Sequence, residues 1–284
     1  MMKYKQKVRL GGPVFGDCST PDLWIAALQR QGFRAAFCPV GPEASDAELQ
    51  SYVKAAATAD IVIAETGAWS NPLSADAVER AAALETCRRN LDLAERAGAR
   101  CCVNIAGSRG EIWDGPHPAN LTSETFDMIV ETVREIIDSV QPSRTFYALE
   151  TMPWIYPDSP QNYLALLKAI DRRQFGVHFD PVNLINSPQR CFDNATFIRE
   201  CFAVLGPHIK SCHAKDIALA PRLTVHLDEV RPGLGALDYR AFFTELNRLD
   251  ADTPVMLEHL SDEAEYSAAA SHLRGVAAEV GVEL

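Results

Sequence analysis

The 284 residues carry 38 acidic and 27 basic side chains, a formal charge of −11, with no dense Lys/Arg run. Such a chain would repel a phosphate backbone at long range, which argues against a nucleic-acid partner and leaves small neutral or polar substrates open. Hydrophobic residues at 47% and charged residues at 23% are the balance of an ordinary globular protein, and a chain this long can bury its own core without disulfides or a structural metal.

No run of 18 or more uncharged apolar residues occurs, so no membrane span is expected. The start, MMKYKQKVRL, is basic with no apolar segment behind it, unlike a signal peptide. The eight cysteines contain no C-x-x-C pair, and several lie in strand-like runs such as Cys101-Cys102-Val103. Reduced thiols in a cytoplasmic protein account for them better than a disulfide framework.

Along the chain, short apolar runs alternate with longer amphipathic ones. A strand at 8–10 precedes a helix at 21–31, opened by Ser19-Thr20-Pro21-Asp22, a cap with proline at the first helical position, and closed by Gly32. Strand 34–38 and helix 46–58 follow, then strand 61–65 and helix 75–97, closed by Gly98. Strand 101–105 leads to helix 122–139, where Ile129, Val133, Ile136, Ile137 and Val140 form one face behind Thr122-Ser123-Glu124.

Strand 146–150 precedes helix 160–170, announced by Asp158-Ser159-Pro160. Strand 176–180 precedes helix 192–204, with Gly206 placed as a left-handed cap. Strand 209–213 is separated from helix 238–248 by residues 217–237, too long for a simple connection and read as a lid or binding segment. Strand 255–258 and helix 263–279 complete the series. Eight strand–helix repeats without a linker predict the α/β class and a single (β/α)8 barrel over residues 1–284, in preference to an open doubly wound sheet. Assembly into a homo-oligomer is compatible with this reading.

Four consecutive predicted strands end in metal-compatible side chains: Glu150, Asp180, His213 and Glu258. In a barrel, strand C-termini form the catalytic face, and strand alternation puts Phe146, Ala148 and Glu150 on one side, as it does Gly176, His178 and Asp180. Any one of them alone could be a satisfied polar residue at a strand end. Three carboxylates converging in one mouth would repel, and a divalent cation is the simplest remedy. One imidazole with three carboxylates suits Mn²⁺, Mg²⁺, Co²⁺ or Zn²⁺. His178, one layer below Asp180, reads as a supporting or core residue, and Lys215 and Asp216 as groups that orient His213 or its loop. Glu65, Trp69, Asn104, Trp113 and Trp154 fall near other strand ends as candidate pocket residues, Trp113 and Trp154 ahead of the rest because flat rings suit sugar faces.

The runs FYALETMPW, VHFDPVNLIN, SCHAKD, RPGLGALDY and VMLEHL, with AETGAWSNPL earlier, resemble the xylose isomerase-like barrel family, which includes sugar phosphate isomerases and ketose 3-epimerases. The resemblance implies one metal ion held by Glu150, Asp180, His213 and Glu258, with Glu150 and Glu258 also exchanging protons with the substrate carbon of a small carbohydrate. It departs at Asn183, where the epimerases carry a histidine that touches substrate; an amide can donate to a sugar hydroxyl but cannot titrate. Arg231, in a loop like the family's glycine loop, is a further candidate for substrate oxygens.

The resulting expectation is a metal-dependent isomerase or epimerase. The alternatives are a dehydratase of the inosose or dehydroshikimate type on the same site, and a non-catalytic sugar- or metal-binding protein. An endonuclease IV-like phosphodiesterase would need histidines after strands two and three, where Phe37-Cys38-Pro39-Val40 and Glu65-Thr66-Gly67 stand, and an Asp-x-His pair where His226-Leu227-Asp228 runs in the reverse order.

Overall fold

The computed structural model describes residues 8–284, so the reading of the first seven residues as no signal peptide lies outside it. Eight parallel strands close into a barrel: β1 (Arg9–Gly11), β2 (Ala35–Phe37), β3 (Val62–Gly67), β4 (Cys101–Asn104), β5 (Phe146–Glu150), β6 (Phe175–Phe179), β7 (Ile209–Ala214) and, last in the chain, β10 (Pro254–Leu257). Each pairs with its sequence neighbour in this series, and β10 closes the ring on β1. Between β7 and β10 the chain adds an antiparallel hairpin, β8 (Asp216–Leu219) with β9 (Leu227–Val230). The segment 217–237, read as a lid or binding segment, is a hairpin followed by a glycine loop.

The helices are α1 (Pro21–Gln31), α2 (Asp46–Thr58), α3 (Ala77–Ala97), α4 (Ser123–Val140), α5 (Pro160–Ile170), the short α6 (Pro181–Leu184) and α7 (Pro188–Phe192), then α8 (Asn194–Leu205), α9 (Tyr239–Leu246) and α10 (Glu263–Glu279). Their starts follow the caps in the sequence: the Thr20, Thr122 and Ser159 side chains each accept a backbone N–H of the first turn. Gly32 and Gly98, both at φ 68°, end α1 and α3 in the left-handed conformation. Gly206 does not: at φ −41° it stays right-handed and continues into a short 3-10 turn.

Helix α4 buries Ile129, Val133, Ile136 and Ile137 on one face. Each such side chain contributes about 1.5–3 kcal/mol relative to exposure, so Ile136→Ala alone would cost about 2–5 kcal/mol. The apolar core lies between barrel and helices, and a small separate cluster is made by Ala35, Ala64 and Met256 with Phe37 against them. A Cβ on Gly11 would stand 2.4 Å from the Ala35 carbonyl oxygen and 2.7 Å from the Met256 sulfur. Glycine is therefore required where β1 closes against β2 and β10.

Among the described residues no helix is long and apolar enough to cross a membrane, and all eight cysteines are free thiols.

Candidate metal centre

Glu150 is the last residue of β5, and Asp180 follows β6 directly. There Asp180 caps α6, its Oδ1 accepting N–H bonds from Val182 at 2.9 Å and Asn183 at 3.2 Å. That turn fixes the carboxylate and leaves Oδ2 facing the barrel axis region, 2.7 Å from Lys215 Nζ. His213 projects from β7, and Glu258 follows β10. One donor atom from each of Glu150, Asp180, His213 and Glu258 lies within 4.8 Å of the other three. The sequence expectation that these four side chains converge matches the geometry.

His213 Nδ1 faces Glu258 Oε1 at 2.7 Å and Glu150 Oε1 at 3.1 Å. Its Nε2 faces the other way, 3.6 Å from Glu65 Oε2. Glu65 is buried beneath it, 3.0 Å from His178 Nε2, and it accepts the Ser211 hydroxyl through Oε1. The rings of His178 and His213 meet edge-on with centroids 4.1 Å apart.

Lys215 Nζ, almost wholly buried, lies 2.5 Å from Glu258 Oε1 and 3.4 Å from Glu150 Oε1. Burial pushes the Glu150 carboxyl up, but the charges of His213 and Lys215 outweigh it and hold the group at about 2. Glu258 behaves alike: burial opposes ionisation, and His213 and Lys215 keep it at about 2. Burial would depress His213, yet Glu258 and Glu150 raise it well above the usual imidazole range.

This donor set fits a divalent cation. Three carboxylates and an imidazole nitrogen converge, and the second imidazole nitrogen is directed at a buried carboxylate, the partner that commonly orients a metal-ligating histidine. Asp180 Oδ2 and Glu258 Oε1 receive no aligned hydrogen bond, although Lys215 Nζ stands beside both. Those are atoms placed for a cation.

Glu150 and Glu258 line the floor of a cavity of about 520 Å³ together with Lys215, with Trp69, Trp113, Trp154, Asn183, Glu229 and His259 among its other walls, while Asp180 and His213 are buried behind them. Asn183 donates to Glu150 Oε1 at 3.2 Å. Trp154 donates to the Asp114 carbonyl at 2.9 Å, tying the loop after β5 to the loop after β4. Trp113, Trp154 and Asn183 thus line the cavity, as does Trp69.

Two expected substrate contacts are corrected. Glu65 does not reach the cavity; its position within β3 is one layer too deep, and its oxygens serve His178, Ser211 and His213. Arg231 turns away to pair with Glu265 at 2.9 Å and does not line the cavity. Asn104 is also buried, donating to the Ser70 carbonyl. Asp216 holds the glycine loop, its carboxylate accepting backbone N–H bonds from Gly233, Gly235 and Leu237.

Glu229 and His259 were not among the expected residues. Glu229 is in the segment read as a lid or binding segment without any residue singled out, and strand alternation directs the residue after Glu258 outward. Only the left-handed backbone at His259, φ 57°, brings its ring back, 3.2 Å from Glu229 Oε1.

The fold is shared with solved structures. A D-psicose 3-epimerase from Clostridium cellulolyticum, solved with D-tagatose, aligns over 98% of this chain and all of its own length, with TM-score 0.68 and 16% identity. A xylose isomerase-like TIM barrel protein from Mycobacterium smegmatis, in complex with magnesium, aligns over 98% of both chains with TM-score 0.66 and 17% identity. A probable 3-DHS dehydratase from Bacillus anthracis covers 92% of this chain and 93% of its own, with TM-score 0.66 and 17% identity. No curated protein matches by sequence. The sequence pattern described as xylose isomerase-like TIM barrel matches residues 25–276, and with the closed eight-stranded ring this places the chain in the xylose isomerase-like TIM barrel family.

Proposed function

We propose that the protein is a divalent-metal-dependent isomerase or epimerase acting on a small uncharged sugar or sugar-like ketone. The observation that carries this reading is the pair Glu150 and Glu258, both within 3.1 Å of one imidazole nitrogen at the floor of an open cavity. Moving a proton α to a carbonyl needs a base, an acid and stabilisation of a developing oxyanion. A cation such as Mn²⁺, Mg²⁺, Co²⁺ or Zn²⁺, held by Glu150, Asp180, His213 and Glu258, would supply the last as a Lewis acid on substrate oxygens.

The protein's own groups do the rest. Glu150 and Glu258 are both ionised at neutral pH, so either can take the proton from carbon. The one that takes it holds that proton and can return it to the same carbon or the next. Delivery from the opposite glutamate requires that group first to take a proton from solvent while the first releases its own. Asn183 steadies Glu150, and Lys215 keeps the carboxylates charged. Trp113 and Trp154 offer flat faces to a sugar ring.

Little in the cavity wall selects an acid or a phosphate over a sugar. The cavity wall carries Asp114, Glu150, Glu229 and Glu258 against Lys215 and His259, and no arginine lines it. Lys215 is already engaged by three carboxylates. With the cation in place the wall is close to neutral, so an anionic substrate would find the metal but no arginine to pair with. A dehydroshikimate-like acid therefore gains no support from the wall, although one structure of this fold is described as such a dehydratase. The D-psicose 3-epimerase of the same fold supports a neutral ketose.

The test is a panel of ketoses, inososes, ketose phosphates and keto acids incubated in D₂O with each of the four metals. Deuterium should enter a neutral ketose at carbon, with no loss of water. Labelling confined to the acids or phosphates, or release of water from an inosose, would replace this reading.

A further inference from the structure

Glu229 and His259 both line the cavity, and both come from outside the eight barrel strands. Hairpin β8–β9 carries Glu229 to the mouth, while its neighbour Asp228 points to the opposite face, as alternation requires, and approaches Arg222. His259 sits at φ 57°, a conformation uncommon for a side chain with a Cβ. Strain of this kind persists where the surroundings require the side chain in one place. Here it sets the imidazole between two carboxylates, with Nδ1 3.2 Å from Glu229 Oε1 and Nε2 3.7 Å from Glu258 Oε2.

Two separations are informative. His259 Nε2 to Glu258 Oε2 is 3.7 Å, and Lys215 Nζ to Glu229 Oε2 is 3.8 Å. Both exceed a direct hydrogen bond, yet one hydroxyl oxygen beside either pair can reach both members at about 2.8 Å. Each gap combines a donor with a carboxylate acceptor, which matches the double character of a hydroxyl. Both gaps border the cavity floor, and Glu229 and His259 are linked to one another.

Resting on the reading above, we propose that Glu229 and His259 bind two hydroxyls of the substrate, so that the β8–β9 hairpin selects which polyhydroxy ketone the site accepts. The pair holds the sugar while Glu150 and Glu258 work on its carbon.

Binding to the Mn²⁺-loaded full-length protein tests this by calorimetry, with D-fructose, D-tagatose and D-psicose as probes. Variants are Glu229→Gln, Glu229→Ala, His259→Ala and His259→Asn; asparagine tolerates the left-handed backbone and so separates the ring's role from the fold's. Hydrogen bonds to charged groups are worth about 1.5–3 kcal/mol, or about 10- to 100-fold. Affinity for the ketose that binds best should fall by that factor in Glu229→Ala and His259→Ala, with metal content and melting temperature kept. A deoxy analogue lacking the bound hydroxyl should lose as much in the wild type and nothing more in the variant. Equal affinity in wild type and all four variants overturns the proposal and leaves the metal-dependent reading standing. Failure of the wild type to bind or label any neutral ketose overturns both.

Discussion

Two polar clusters meet at the imidazole of His213. On the Nε2 side, Glu65, His178 and Ser211 are sealed inside the barrel, and the hydrogen bonds of Glu65 Oε1 are satisfied within the protein. On the Nδ1 side, Glu150 and Glu258 border the cavity, Asp180 stands beside them, and Lys215 supplies the nearby ammonium. Composition alone does not separate the two, since either could hold a metal ion by the proximity of its donor atoms. Access separates them, since each keeps orphaned oxygens, Glu65 Oε2 below and Asp180 Oδ2 and Glu258 Oε1 above. A carboxylate sealed below the floor can only orient its neighbour, whereas Glu150 and Glu258 face a cavity that a substrate can enter.

The largest expected effect comes from the residue common to both. His213→Ala should abolish metal binding and cost about 3–5 kcal/mol of stability, because buried carboxylates on both sides lose their partner. Elemental analysis and thermal melting read the two losses separately, and His178→Ala should retain more metal than His213→Ala. Equal metal loss in the two would place the ion in the lower cluster.

Next come the cavity carboxylates. Glu258→Gln and Glu150→Gln keep an oxygen for the cation and remove the titrating group, so turnover should fall about 10²–10⁴-fold. Metal content should fall far less, and wild-type turnover in both variants would end the two-glutamate mechanism. Smaller still is Glu65→Gln, which should weaken metal affinity about 10–100-fold through His213. Substrate affinity of the fully loaded protein should stay unchanged, since Glu65 is cut off from the cavity. A Glu65→Gln defect confined to substrate affinity would restore it as a contact.

The smallest effect lies far from either cluster. Burial pushes the Glu95 carboxyl up, but bonds from Ser143, Arg144 and Thr145 outweigh it and hold the group at about 2. A carboxyl depressed in the folded state contributes stability above its unfolded value and loses it as pH falls through the folded one. Melting temperature should therefore decline from about pH 4.5 toward 2, less steeply in Glu95→Gln. An identical acid limb in that variant would remove Glu95 as a cause.

Much of this was legible in the sequence because the relevant signals are local. Helices α1, α2, α5 and α10 begin and end where their caps and apolar spacing indicate, and the four strand-end side chains follow from strand alternation. Depth along the barrel axis was harder. Glu65 and Glu150 both belong to strand ends, but β3 runs on to Gly67 and leaves Glu65 a layer lower. The hairpin was missed because Asp216–Leu219 and Leu227–Val230 are short strands whose register depends on each other, and the exposed turn between them lacks strong alternation. His259 was invisible for a sharper reason: its direction is set by one positive φ that no periodicity reports.

The central claim is that the upper cluster, not the lower, holds the metal. Crystals grown with Mn²⁺ and measured for its anomalous scattering locate the ion directly. One peak should appear within coordination distance of Glu150, Asp180, His213 Nδ1 and Glu258. A peak on the Glu65–His178 side of the imidazole, or no peak at either cluster, would contradict it.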